Sequence, residues 1–405
     1  MKENPSFLKE QIITYLGNKR ALLSFLNKGF KVAKKELGKD KFSFCDIFSG
    51  SGVVSRFAKA HSNYILANDL EDYSKLINEC YLANKDKDLL QNIKKYYKNL
   101  IQNLDFQKGF ISELYAPKDD DDIKKNERVF YTFKNALYLD TIRQKIENEI
   151  PKELRHFFIA PLIYEASVHS NTSGVFKGFY KGKDGIGKFG GEGQNALKRI
   201  KGEIELKMPI FSNFSCEFEV MQKDANMLAK ELDFFDVVYL DPPYNQHPYS
   251  SNYFMLNLIA NYKKPEEISK ISGIPKDWNR STFNKSKFAQ DALFELINDL
   301  KARVILLSYN CEGFVNLPQG SQKNTSAPTV KSLIISINAK KEIFLNQEKY
   351  DFISFADNLA QRKAQFNTED PVFIRADKSL KYDDVISVLR SVKNLGFNKV
   401  ALQTE

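Results

Sequence analysis

Two glycines placed directly behind a short apolar run constrain this chain more than any other feature. Residues 42–48 (FSFCDIF) are apolar enough for a buried strand, and Ser49, Gly50, Ser51 and Gly52 then break the run. Helical spacing follows through Lys59, and residues 64–69 (YILAND) are apolar again. Strand, glycine turn, helix and strand in that order form the unit of a parallel sheet, because parallel neighbours need a crossover between them.

The same grammar recurs elsewhere. Residues 11–37 carry helical periodicity behind a leading loop at 15–20, residues 217–221, 236–240 and 303–308 read as strands, and 288–300 read as a helix. Between about 84 and 209 this punctuation stops, and Lys- and Tyr-rich helical stretches, an acidic run at 119–122 and a Gly/Lys/Phe-rich segment at 173–193 replace it. The acidic run reads as a solvated turn. From 315 the pattern changes once more: a Gly/Ser/Asn/Pro-rich stretch at 317–328, strands at 332–338 and 343–346, a helix through Lys363, then strand, helix and strand. The expected organisation is a discontinuous catalytic domain (1–84 and 210–314), an inserted recognition domain (85–209) and a small α/β domain (315–405). A competing reading makes 332–346 the missing hairpin of the catalytic sheet.

Composition narrows the class of function. A chain of 405 residues with 42% hydrophobic content can bury more than one core, and its formal charge of +9 suits a polyanionic partner. Cys45, Cys80, Cys216 and Cys311 form no C-x-x-C pair, and His61, His156, His169 and His247 share no ligand spacing, so neither a disulfide framework nor a metal site is expected. No stretch approaches the ~18 apolar residues of a membrane span. These features together point to a cytoplasmic protein.

Glycines at a strand's carboxyl end let a ligand approach the backbone, and an acid ending the next strand, here Asp69, can accept ribose hydroxyls. Alone, the glycine pair is an ordinary βα turn; with Asp69 it points to a nucleoside-containing cofactor. The second element is Asp241-Pro242-Pro243-Tyr244 behind the apolar strand 237–240, which sets a carboxylate, a rigid carbonyl and an aromatic ring at the sheet's carboxyl edge. In the segment 173–199, Lys177, Tyr180, Lys181, Lys183, Lys198 and Arg199 interleave charge with rings, as a phosphate-contacting loop would, and Asn171 is a candidate base contact. A solvated basic loop is the competing account.

With these residues in place, the order of motifs resembles that of the Dam-like (α-group) DNA adenine methyltransferases over about 11–314. The resemblance implies an α/β fold: a Rossmann-like methyltransferase sheet that binds S-adenosylmethionine, with an inserted, mainly helical DNA-recognition domain. It implies cofactor-binding roles for Tyr15, Lys19, Asp46, Phe48, Gly50, Gly52, Asp69 and Asp224, with Tyr15 standing where many relatives carry Trp. It implies catalytic roles for Asp241, Pro242 and Tyr244, and it sets residues 247–261, with Tyr249 and Tyr253, and 278–285 beside the target base. Double-stranded DNA would be the substrate and a cognate restriction endonuclease a partner. The motif at 308–310 has a supporting role.

The last part, 371–378 (PVFIRADK) with Tyr382, Gly396, Phe397 and 400–404 (VALQT), resembles the periplasmic domain of the ExbD/TolR energy-transduction proteins, as does 315–318. That family works through an acidic transmembrane helix, and none is read here, so transport is not expected. The chain reads as a fusion joined near Phe314. A non-catalytic DNA-binding or cell-envelope interaction protein is the alternative.

Overall fold

The computed structural model describes residues 2–308, 333–338, 340–345, 348–350, 355–363, 366, 372–376, 382–397 and 400–404. The readings at 309–310, 315–318 and 317–328, the join near Phe314, and Asp377 and Lys378 lie outside them.

Five parallel strands form the central sheet: β1 (Phe42–Asp46), β2 (Ser62–Asn68), β3 (Glu217–Met221), β4 (Phe235–Leu240) and β5 (Ala302–Leu307). They lie in the order β3-β2-β1-β4-β5. The expected strands agree to within two residues at each end; the apolar run at 42–48 stops pairing at Asp46, and its last two residues begin the turn. Consecutive strand residues face opposite sides. Val237 packs with Phe30, Phe42 and Phe44 on one face, whereas Val238 packs with Leu228, Leu293 and Ile297 on the other. All six residues of β4 are buried, as both faces of a parallel sheet require.

Helix α1 (Leu23–Leu37) covers the first face through Leu26, Phe30 and Ala33 and ends on Gly38 in the left-handed conformation. It starts later than the periodicity at 11–37 suggests, because residues 19–22 form a tight 3-10 turn capped by the Asn18 side chain. Helices α2 (Val53–Ala58) and α3 (Asp72–Leu82) complete the first crossovers.

Between β2 and β3 the chain is mainly helical: α4 (Lys87–Ile101), α5 (Phe110–Leu114), α6 (Phe133–Glu149), α7 (His156–Val168) and α8 (Leu197–Ile200). Helix α7 is buried around most of its circumference. Its Phe158, Leu162 and Ile163 share a core with Tyr73 and Ile77 of α3. After β3 come α9 (Ala225–Glu231), α10 (Tyr249–Asn252), α11 (Phe254–Asn261) and α12 (Ala289–Asp299). Phe254, Leu256 and Leu258 of α11 are buried in the same core as α7, the packing role that helical spacing allows. In the acidic run, Asp120 accepts the Phe133 backbone N–H at 2.9 Å, so it shapes a turn beside α6.

The carboxyl-terminal strands extend the same sheet. They are β6 (Leu333–Ile337), β7 (Ile343–Leu345), β8 (Glu348–Tyr350), β9 (Val372–Ala376) and β10 (Val400–Thr404), joined by α13 (Phe355–Arg362) and α14 (Tyr382–Asn394). The full order is β3-β2-β1-β4-β5-β10-β9-β6-β7-β8. β6 and β7 form the antiparallel pair expected at 332–346, but that pair does not flank β5. The neighbour of β5 is β10, paired in parallel through Ala401 with Ile305 and Leu402 with Leu306. α14 supplies the crossover that lets β9 and β10 pair in parallel, and β6 pairs in parallel with the other side of β9. Val32 of α1 joins the core of this unit with Leu389 and Val392 of α14, and Lys393 pairs with Glu36 at 3.4 Å.

Candidate active site

The strand order places the site. β2 and β3 continue from one side of β1, whereas β4 and β5 lie on the other, so the loops leaving β1 and β4 diverge and open a crevice at their carboxyl ends. Asp46 stands opposite Tyr239 in the register, which puts the glycine turn and the loop at 241–244 side by side. A cleft lies there. Tyr15, Lys19, Asp46, Phe48, Gly50, Asp69, Asp224 and Asp241 all line it.

Gly50 takes a φ of 50° and lies so close to Tyr15 that a side chain there would come within 3.1 Å of its ring. Gly52, at a φ of 73°, caps α2 and does not line the cleft itself. Asp69 braces the turn: its Oδ2 accepts the Gly50 N–H at 2.7 Å and its Oδ1 accepts the Glu71 N–H at 3.0 Å. Burial lifts its pKa to about 6 against these hydrogen bonds. Asp46 is more extreme. Ser55 donates to Oδ2 at 2.6 Å, yet Oδ1 is buried without a partner, and burial, with Asp241 and Asp69 nearby, raises the carboxyl to about 7. An unpartnered buried carboxylate oxygen on a cleft at the strands' carboxyl ends suits a ligand that brings a donor or a positive charge. Asp224 caps α9, accepting the N–H groups of Asn226 and Met227 at 3.0 and 3.2 Å.

Across the cleft, Asp241 pairs with Lys19 at 2.6 Å. Burial raises the Asp241 carboxyl, and the Lys19 ammonium counters that rise. Tyr15, Tyr249 and Tyr253 form a stack, with ring centroids 4.9 and 4.7 Å from Tyr15, and Tyr73 meets Tyr15 edge-on. The Leu16 N–H donates to Tyr253 Oη at 2.6 Å, fixing the leading loop that carries Lys19.

A family profile described as D12 class N6 adenine-specific DNA methyltransferase matches residues 15–310. The chain belongs to that family. Type II methyltransferase M.NlaIII of Neisseria lactamica is 29% identical over 317 residues, covering 76% of this chain and 86% of that protein. Modification methylase LlaI of Lactococcus lactis subsp. lactis is 28% identical over 413 residues, covering 96% of this chain and 63% of that protein. A second profile, biopolymer transport protein ExbD/TolR, matches residues 310–405. A putative ExbD-like biopolymer transport protein of Helicobacter pylori (strain ATCC 700392 / 26695) is 33% identical over 114 residues, covering 28% of this chain and 84% of that protein. The chain is thus an adenine N6 DNA methyltransferase fused to an ExbD/TolR-like part, and the non-catalytic alternative is not favoured. Among the described residues, no helix is long and apolar enough to cross a membrane.

In this methyltransferase the residues expected to face DNA divide into two groups. Lys177, Lys181, Lys183 and Lys198 are exposed, with Tyr180 half-buried among them. Lys177 donates to His247 Nδ1 at 2.8 Å, and the Phe176 N–H donates to the Asn252 carbonyl, so the loop at 173–199 touches the segment after Tyr244. Asn171 is fully buried instead. Its amide donates to the Val129 and Lys188 carbonyls and accepts the Gly190 N–H, which commits it to shaping the loop and leaves nothing for a base. Arg199 spends its guanidinium on the carbonyls of Val168, Ser170 and Thr172. Tyr253 is buried and stacks on Tyr15 without lining the cleft itself, whereas Tyr249 lines it.

Two sets of residues at the cleft were not singled out individually from the sequence. Ser281, Phe283 and Asn284 line it, Phe283 meets Phe48 edge-on at 5.1 Å, and Asn284 donates to the Asn245 carbonyl at 2.8 Å. Glu71 is buried at the cleft wall and joins Ser250 to Asn257. Its position two residues past the ribose-type acid was the only available signal, and an acid starting a helix is commonplace.

Proposed function

We propose that this methyltransferase binds S-adenosylmethionine over the glycine turn and methylates N6 of an adenine everted from double-stranded DNA. It would act as the modification arm of a restriction system, alongside a cognate endonuclease in the cytoplasm. The observation that carries this reading is that Asp46, Asp69 and Asp241 border one cleft. Asp69 would hold the ribose hydroxyls, Asp46 Oδ1 a donor group at the methionine end, and Asp224 the adenine ring, with Tyr15 and Phe48 as apolar walls. When bound, the cofactor supplies an electrophilic methyl group on its sulfonium.

The chain's own residues make the target nitrogen reactive. The adenine amine is a poor nucleophile because its lone pair is delocalised into the ring. Asp241 and the Pro242 carbonyl can each accept one amine hydrogen, which favours a tetrahedral nitrogen with its lone pair free for in-line attack. Asp241 must be ionised to do this, and Lys19 opposes the burial that would protonate it. A carboxylate offers about four acceptor positions, so Lys19 and the amine can share it. Tyr244 supplies a ring for the everted base, offsetting an unstacking cost of roughly a few kcal/mol.

Transfer of a radiolabelled methyl group from S-adenosylmethionine to unmethylated DNA tests the proposal, with sequencing of methylated bases to locate the target. Asp241→Ala is expected to abolish transfer while cofactor binding stays measurable by calorimetry. A variant that still methylates DNA would remove Asp241 from the mechanism.

A further inference from the structure

Glu71 is a buried acid that the mechanism above does not use. It directly precedes α3 and lines the cleft, and its carboxylate faces a different element from its backbone. Its Oε1 accepts from Ser250 Oγ of α10, and its Oε2 accepts from Asn257 Nδ2 of α11 at 2.6 Å. Asn257 in turn accepts the Tyr73 N–H through Oδ1 at 3.2 Å, which ties α11 to the first turn of α3. The Glu71 backbone N–H holds Asp69.

A buried carboxylate is costly unless its oxygens are hydrogen-bonded, so these contacts define where α10 and α11 can sit. Those helices carry two of the stacked rings: Tyr249 opens α10 and Tyr253 precedes α11. The loop Glu71 belongs to carries Asp69, on the donor side of the cleft. One side chain therefore couples the two halves of the site.

We infer that Glu71 is a positioning residue, which keeps the tyrosine wall of the base pocket in register with the donor side through Ser250 and Asn257. The inference rests on the transfer reaction proposed above. Misplacing a reacting group by an ångström costs on the order of 100-fold in rate, so loosening this tie should affect turnover more than donor affinity. Asp69 is held by the backbone of Glu71, which substitution of the side chain leaves in place.

The test compares Glu71→Leu, which removes both acceptors while keeping bulk, with Glu71→Gln, which can still accept from Asn257 and donate to the Ser250 hydroxyl. Steady-state methylation of the chain's own target site gives kcat, calorimetry with S-adenosylmethionine gives donor affinity, and 2-aminopurine at the target position reports stacking of the everted base. Glu71→Leu is expected to lower kcat roughly 10- to 100-fold with donor Kd within about threefold, and to reduce the stacking signal. Glu71→Gln should stay within about threefold of wild type. Ser250→Ala removes one bond at almost no cost in volume and keeps the test decisive if Glu71→Leu does not fold: a kcat lower by about threefold or more at unchanged donor Kd is expected. Unchanged kcat in Glu71→Leu or Ser250→Ala, or a defect confined to donor binding, overturns the inference. A wild-type chain that binds donor and DNA yet transfers no methyl group overturns the underlying reaction instead.

Discussion

At the scale of single residues, the site is a set of acids held against their tendency to protonate. Burial raises Asp46 to about 7 and Asp69 to about 6, whereas carboxyls in the unfolded chain titrate near ~4. Between those values the folded, ligand-free chain holds protons that the unfolded chain has released. The stability contributed by these groups is therefore full below ~4 and is lost as pH rises through ~7. Burial lifts Glu71 to about 7 as well, but both its oxygens are hydrogen-bonded, whereas Asp46 keeps an oxygen with no partner and shows the larger rise, so Asp46 should contribute most. Asp46→Asn should narrow the fall in melting temperature between about pH 5.5 and about pH 7.5, measured by calorimetry on ligand-free protein. A fall as large as that of wild type would mean that the carboxyl of Asp46 stays ionised throughout.

At the scale of elements, the loop at 173–199 and the segment after Tyr244 act together, because Lys177 reaches His247 and Phe176 bonds to Asn252. Lys177 and Lys181 are exposed on that loop, and each phosphate contact contributes roughly 0.9 to the slope of log affinity against log salt. Changing both to Ala should weaken DNA binding and flatten that slope by up to about 2, read by fluorescence anisotropy across a salt series. An unaltered slope would clear the pair of phosphate contacts. What could be read in advance followed the same division. The strands at 236–240 and 303–308 were legible because a buried parallel strand needs a continuous apolar run, that at 217–221 because apolar and charged residues alternate along a half-covered edge strand, and the glycine turn because a positive φ favours glycine. Asp46, Asp69 and Asp241 were legible because each ends or directly follows such a run. Asn171 and Glu71 were not, since a polar residue in a loop looks the same whether it faces a base, a backbone or a neighbouring helix, and only the tertiary partners decide.

At the scale of the whole molecule, the catalytic sheet and the ExbD/TolR-like part share one hydrogen-bonded edge. Without β10, β5 would present unpaired backbone groups beside the strand that carries Asp241, and an open edge of this kind invites self-association. The contact is also apolar, since Val32 on the outer side of α1 packs into the core formed by Leu389 and Val392, and Glu36 pairs with Lys393 one turn further on. A buried valine of this kind contributes about 1.5–3 kcal/mol. Removing residues 315–405 should therefore leave the cleft residues present but expose both the β5 edge and Val32. The shortened chain is expected to melt at a lower temperature and to elute as higher oligomers in size-exclusion chromatography, with transfer per soluble monomer retained because no described residue beyond 308 lines the cleft. A shortened chain that stays monomeric at the wild-type melting temperature would mean that β10 does not support the sheet. Asp substituted for Val32 in the full chain separates the two contributions, because it places a charge in the apolar contact while the strand pairing remains available. If the apolar contact dominates, this variant should reproduce most of the loss in melting temperature; if strand pairing dominates, only the deletion should self-associate.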